Sequence, residues 1–196
     1  MKSKSIYILL YIVTIIGCSF YSFKGSIPPH IKSVYISPIE NRTIESSASE
    51  TIKIQMDESF IRENVLKLLP LKSADSQIDV TLISFTDKAY SYDFDESSQS
   101  EDNDYEIVNE YRVTIKAKVA WYDLINNELL FETEITAWGA YDPGVGDIGQ
   151  DNIDNDSDTY IDGDDDDEYG LPRESAIKIA SKKISDSIIN NIVSTW

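Results

Sequence analysis

The chain has one cysteine and one histidine in 196 residues, and that scarcity removes several chemistries at once. An internal disulfide needs two cysteines, and a structural zinc site needs several Cys or His ligands. A Ser-His-Asp or Cys-His nucleophile needs a histidine in the site. The only candidate, His30, follows Pro28 and Pro29, ahead of the first predicted strand. Positive charge is also scarce: 17 Lys and Arg face 35 Asp and Glu, for a net charge of −18. Such a chain repels phosphate backbones, so a nucleic-acid partner is excluded. The apolar run from Ile6 to Ile16 falls short of the ~20 residues that span a bilayer. Carboxylates remain plentiful, and a pair of them can hydrolyse a glycosidic bond. Among so many acids, pairs arise by chance, so the expectation is that the protein is not an enzyme.

The cysteine sits where it is consumed. Lys2 and Lys4 form a short positive segment, Ile6 to Ile16 is apolar, and Gly17 precedes Cys18. This is the layout of a signal peptide, and "IIGC" resembles the bacterial lipoprotein cleavage box. The resemblance implies a signal peptide over 1–17, cleavage before Cys18 and acylation of its sulfur, leaving no free thiol. Two or three acyl chains anchor a protein stably, where one binds marginally. Ser19 follows the anchor rather than the Asp that commonly retains lipoproteins at the inner membrane, so the outer membrane is expected. The alternative is an uncleaved anchor or an ordinary secretory signal with a stray cysteine.

Periodicity organises the rest. "HIKSVYISPI" alternates and predicts a strand over about Ile31 to Ser37, ended by Pro38. Over 46–70, Ile52, Met56, Phe60, Ile61, Val65, Leu68 and Leu69 recur at helical spacing, and Pro70 is the expected stop. "QIDVTLISFTDKAYSYDF" predicts a second strand, and the acidic, Ser-rich "DESSQSEDNDYE" a solvated hairpin loop. In "EYRVTIKAKVAWYD", Tyr111, Val113, Ile115, Ala117, Val119 and Trp121 share one face. "INNELL" supplies a turn, and "ELLFETEITAWGAYD" a fourth strand. From Pro172, Ile177, Ala180, Ile184, Ile188, Ile189, Ile192 and Val193 make an apolar helical stripe. The expected fold is α+β: a four-stranded, mostly antiparallel sheet with two helices packed on one face.

Two constellations are candidate sites. Arg112, Lys116 and Lys118 lie on the outward face of the third strand, and fixed cations bind phosphate by charge-assisted hydrogen bonds. A solvated strand face that discourages aggregation is the plain alternative. The second is "DNIDNDSDTYIDGDDDDE". Between Asp142 and Glu168 there are eleven aspartates and Glu168, with no Lys or Arg. A calcium loop needs oxygen ligands at alternating positions. Counted from Asp154, they are Asp156, Asp158, the Tyr160 carbonyl, Asp162 and Asp165. Thr159 stands where the EF-hand loop has Gly, and Gly163 takes that place in a frame starting at Asp158, so the register is open. The stretch resembles the "DNDxDGxxD" calcium repeats of secreted bacterial proteins. The alternative is a disordered loop held open by self-repulsion.

"YSFKGSIPPHIKSVYISPIENRT", "NEYRVTIKAKVAWYD", "FETEITAWGAYDP" and a final helix ending in Trp196 together resemble the LptE-like family of outer-membrane lipoproteins of lipopolysaccharide assembly. The resemblance covers most of 18–143 and 172–196. It breaks at 144–171, where an Asp-rich insertion replaces a short acidic link, so 18–196 is expected to be one LptE-like domain carrying that insertion. It implies a plug in the lumen of an LptD-like outer-membrane β-barrel that assists the barrel's assembly and receives lipopolysaccharide, for whose phosphates Arg112, Lys116 and Lys118 are the candidate ligands. The domain would lie in the periplasm or the barrel lumen. The competing function is a calcium-binding structural or adhesive cell-envelope lipoprotein on the same fold.

Overall fold

The computed structural model describes residues 27–94, 106–161, 164 and 169–194. Cys18 and the signal segment, most of the predicted acidic hairpin loop, Asp162, Asp165 and Trp196 lie outside the described residues. Strands β1 (Ser33–Ile36) and β2 (Glu40–Asn41) precede helix α1 (Ser46–Glu63). Strands β3 (Lys67–Leu68), β4 (Ser76–Phe94), β5 (Glu106–Asp123) and β6 (Glu128–Tyr141) follow, then helix α2 (Pro172–Ser194).

The fold is α+β with two helices, but the sheet differs from expectation. It has six strands in the order β3-β1-β4-β5-β6, with β2 also paired to β4. It is mixed: β1 lies parallel to both β3 and β4, and β2 parallel to β4. Only β4-β5-β6 is the expected antiparallel meander. The two additional strands have two residues each, too few to carry a period.

Helix α1 also stops earlier than Pro70. Asn64 adopts φ 50°, ψ 35°, and its N–H donates to the Phe60 carbonyl at 3.1 Å. A left-handed residue just past the last turn ends a helix by satisfying its orphan carbonyls. The chain is thereby freed to lay Lys67–Leu68 beside β1. Ala48, Ile52, Met56 and Phe60 are buried as the stripe requires, whereas Ile61 and Leu69 are exposed.

One face of the sheet is apolar and covered. Val113, Ile115, Ala117, Val119 and Trp121 of β5 are fully buried, as are Ile78 and Leu82 of β4. Ala176, Ala180, Ile184, Ile188 and Ile192 of α2 are buried with them, while Val193 stays exposed. The helices run side by side in the same direction. Near their starts the Arg173 guanidinium donates to Glu45 at 2.7 Å and to Asp87 at 2.8 Å. Further along, Ser185 Oγ donates to the Gln55 carbonyl and Ser59 Oγ to Asp186, both at 3.2 Å. The Tyr141 hydroxyl also donates to Asp87 at 2.9 Å. Burial, and the hydrogen bond that the phenol donates to anionic Asp87, push the Tyr141 pKa up.

The opposite end of the sheet is tied down by His30. Its Nε2 lies 2.6 Å from Asp123 Oδ2, and Asn126 Nδ2 donates to the same oxygen at 2.8 Å. Asp123 Oδ1 accepts the Ile125 and Asn126 backbone N–H groups at 2.8 and 3.0 Å. The single histidine therefore fastens the incoming chain to the β5–β6 turn.

Candidate functional site

Alternation along β5 sends Arg112, Lys116 and Lys118 to the uncovered face, as expected, and the register of the neighbouring strands supplies their partners. Lys116 pairs with Glu134 at 2.5 Å and Lys118 with Glu132 at 2.9 Å. Both pairs are about half exposed, so each is worth ~1 kcal/mol or less and exchanges readily. Arg112 is held differently. Its guanidinium carbon sits 3.3 Å from the Tyr90 ring centroid and 3.8 Å from that of Trp138, and Nε donates to Glu110 at 2.6 Å. The β4 register shifts between Ala89 and Ser91; such a bulge re-aims a side chain and here accompanies the placement of Tyr90 over Arg112. The Trp138 ring also carries the Lys183 ammonium at 4.4 Å.

Neither the glutamates nor the two rings were assigned to this cluster from sequence. The alternation of "FETEITAW" already put Glu132 and Glu134 on one face. The missing information was the strand register, Lys118 opposite Glu134 and Arg112 opposite Ala140. Other outward positions are mixed: the ladder places Thr81 and Thr86 on β4, Thr114 on β5 and Thr136 on β6 beside Ala120, Tyr122, Leu129 and Trp138. Near Lys118 a hollow of about 320 Å³ is lined by Glu40, Arg42, Asp79 and Glu132 among others.

The acidic segment after β6 is built against the sheet. Ala140 N–H donates to the Asn155 carbonyl at 2.9 Å, and Asn155 Nδ2 returns to the Ala140 carbonyl at 3.0 Å. Ile148 is fully buried, and its N–H donates to the Gly170 carbonyl at 2.9 Å. The loop thus covers part of the outer edge of β6, which Lys183 extends by donating to the Trp138 carbonyl at 3.1 Å.

Within this segment Asp154, Asp156 and Asp158 converge, with carboxylate oxygens all within 4.8 Å of one another. Asp154 accepts from the Ser157, Asp158 and Thr159 backbone N–H groups, and Asp156 from that of Asp158. Asp158 accepts the Tyr160 N–H at 2.9 Å. Thr159 has φ 84°, the left-handed conformation that an EF-hand loop assigns to its invariant Gly. Asn152 and Ser157 in the same segment are also left-handed, at φ 57° and 67°. Burial holds the Lys183 ammonium pKa below its ordinary value, against the opposing pull of Asp156, Asp154 and Asp158. Three hard oxygen donors on a tight loop suit calcium.

Comparison with known proteins completes the description. The family model described as LptE, lipopolysaccharide-assembly, matches residues 31–192, a span that includes the acidic segment. No curated protein matches. Solved structures that resemble the chain include the PelC dodecamer from Paraburkholderia phytofirmans, with a TM-score of 0.49, 9% identity and coverage of 88% of this chain and 95% of that one. The hypothetical protein CT253 from Chlamydia trachomatis gives a TM-score of 0.48 at 8% identity, covering 84% and 97%. The lipoprotein GNA1162 from Neisseria meningitidis gives 0.39 at 11% identity, covering 56% and 83%.

Proposed function

The chain belongs to the LptE lipopolysaccharide-assembly family, and from that premise we propose that it is a lipid-anchored plug of an LptD-like outer-membrane β-barrel. In this reading Cys18 carries the acyl chains, and the domain enters the barrel from the periplasmic side and assists its assembly. The role is one of binding and needs no catalytic group. Apart from membership, the observation that carries the reading is the uncovered sheet face. It presents Thr81, Thr114 and Thr136 with lysines and glutamates, whereas the opposite face is filled by helices. The lumen of a transmembrane barrel is polar, so a face that carries these threonines and charged pairs suits it. A stoichiometric large barrel is expected on co-purification from detergent-solubilised outer membranes. Recovery of the chain alone, in a detergent that keeps such plugs bound elsewhere, would count against the plug.

On the same face, Lys116 and Lys118 are the groups proposed to meet lipopolysaccharide phosphates, with Arg112 fixed beside them. A phosphate displaces an exposed glutamate at small cost, because the existing pairs are weak. Replacing all three by Ser is expected to weaken lipopolysaccharide binding by tenfold or more, at about 1.4 kcal/mol for each factor of ten. Unchanged binding removes this part of the proposal.

The acidic loop supports a second, structural reading. Calcium held by Asp154, Asp156, Asp158 and the Tyr160 carbonyl, with Asp162 and Asp165 contributing, would clamp the segment that connects β6 to α2. Millimolar calcium is expected to raise the melting temperature of the wild-type chain and not that of Asp156→Asn. Calorimetry that shows no heat at millimolar calcium ends this reading.

A further inference from the structure

One end of the sheet brings exposed apolar side chains together with lysines. Exposed apolar side chains there are Leu71 (47%), Leu124 (37%), Ile125 (57%) and Leu129 (47%). Lys32, Lys67 and Lys72 are exposed around them. Hydrogen bonds knit these segments into one surface. The Leu124 N–H donates to the Asp75 carbonyl at 2.9 Å, the Lys32 N–H to the Asp75 carboxylate at 2.9 Å, and the Lys67 N–H to the Lys32 carbonyl at 3.1 Å. The acids nearby are largely engaged. Asp123 is buried under His30, Asp75 accepts from Lys32 and Ser33, and Glu128 is the exposed exception.

The chain arrives at this same end, since Ile27 to His30 lead directly to the Asp123 contact. Cys18 is nine residues before Ile27, and nine residues reach at most roughly 30 Å. The acidic segment leaves the sheet after Tyr141, opposite Tyr111. That is twelve residues up β5 from Asp123, or roughly 40 Å at the rise of a strand. These cations and apolar side chains therefore sit at the tethered end, and the acidic segment departs from the sheet at the far end.

We propose that, before the domain enters a barrel, the end formed by Leu71, Leu124, Ile125 and Leu129, ringed by Lys32, Lys67 and Lys72, is a membrane-contact surface that rests on an anionic phospholipid bilayer. The proposal builds on acylation of Cys18, which keeps this end within reach of the lipid. Apolar side chains flanked by lysines bind an anionic interface through buried area and charge together. The like-charged acidic loop is repelled from the same surface, so the molecule stands with that loop outward.

The test uses the full lipidated chain in phosphatidylethanolamine–phosphatidylglycerol vesicles. With Cys18 acylated, Ile125→Cys provides one free thiol for an environment-sensitive dye, and Ile44→Cys, equally apolar and fully exposed just before α1, provides the far-end control. The dye at 125 is expected to shift to the blue and to be quenched by chain-brominated lipids, and the dye at 44 to remain in water. Replacing phosphatidylglycerol by phosphatidylcholine is expected to reduce the quenching. A floating chain whose two dyes behave alike overturns the proposal. So does a dye at 125 that is shielded from water but indifferent to brominated lipid, which marks a second copy of the chain. The anchor is read separately: Cys18→Ser is expected to abolish flotation, and flotation unchanged by that substitution refutes the acylation while the quenching still decides the surface.

Discussion

Gly139→Ala is expected to lower stability by at least about 3 kcal/mol, a drop of ~10 °C in melting temperature for a chain of this size. Gly139 lies on the helix-facing side of β6, opposite Val113, where the start of α2 passes over the sheet. A Cβ there would sit 2.9 Å from the Ala176 Cα and closer still to the Ala176 carbonyl oxygen. Both atoms are backbone, so no rotamer change relieves the overlap, and α2 must lift from the strand. Lifting it would disturb the Arg173 contacts to Glu45 and Asp87 at the same helix end. Gly146 is the control, since a Cβ there meets nothing within 4 Å. Gly146→Ala should stay within ~0.5 kcal/mol of wild type. Thermal or urea unfolding of the two variants side by side decides the matter. Equal stabilities would mean that α2 does not approach the strand this closely.

Asp123→Asn is expected to cost about 2 kcal/mol at neutral pH and to lose a specific dependence on acid. Asp123 is 2% exposed. Burial alone would raise its pKa, but the bonds from His30, Asn126 and Ile125 outweigh it and hold the carboxyl down to about 2. An unfolded Asp titrates near 3.9. A carboxyl with a lowered folded-state pKa stabilises the fold fully above the unfolded value, and the contribution disappears as pH falls through the folded one. The difference between wild type and Asp123→Asn should thus be constant above about pH 5 and close towards pH 2. Taking the difference cancels the background of the other carboxylates, whose mutual repulsion acid relieves. A gap that persists unchanged at the acid end would show that the carboxylate charge is not what holds the turn. His30→Ala removes the largest favourable partner and should narrow the same gap.

How much of this was legible in the sequence follows from the range of each interaction. Alternation over β4, β5 and β6 was readable because a buried face repeats every second residue, and the α2 stripe because it repeats every three or four. Lys67–Leu68 continued the apolar spacing of α1 and so passed for helix; only the left-handed Asn64 ends it, and one dihedral leaves no periodic trace. Glu40–Asn41 is too short to signal a strand. His30 and Asp123 are 93 residues apart, and nothing local predicts their meeting. The cation row was placed on the correct face, yet its partners depend on register and, for Arg112, on a bulge in the adjacent strand. In the acidic loop the sequence left two frames open; Thr159 is left-handed, while Gly163, on which the other frame turns, lies outside the described residues. The family likeness was legible in short apolar and turn motifs, and the match over 31–192 bears it out.

The central claim is that the polar, uncovered face of the sheet lies against the inside of a barrel. A photo-crosslinking residue at Thr114, between Arg112 and Lys116 on that face, tests it in intact cells. The account predicts one dominant adduct with a large outer-membrane β-barrel, mapping to residues that face its lumen. An adduct-free face, or adducts only with further copies of this chain, would contradict it.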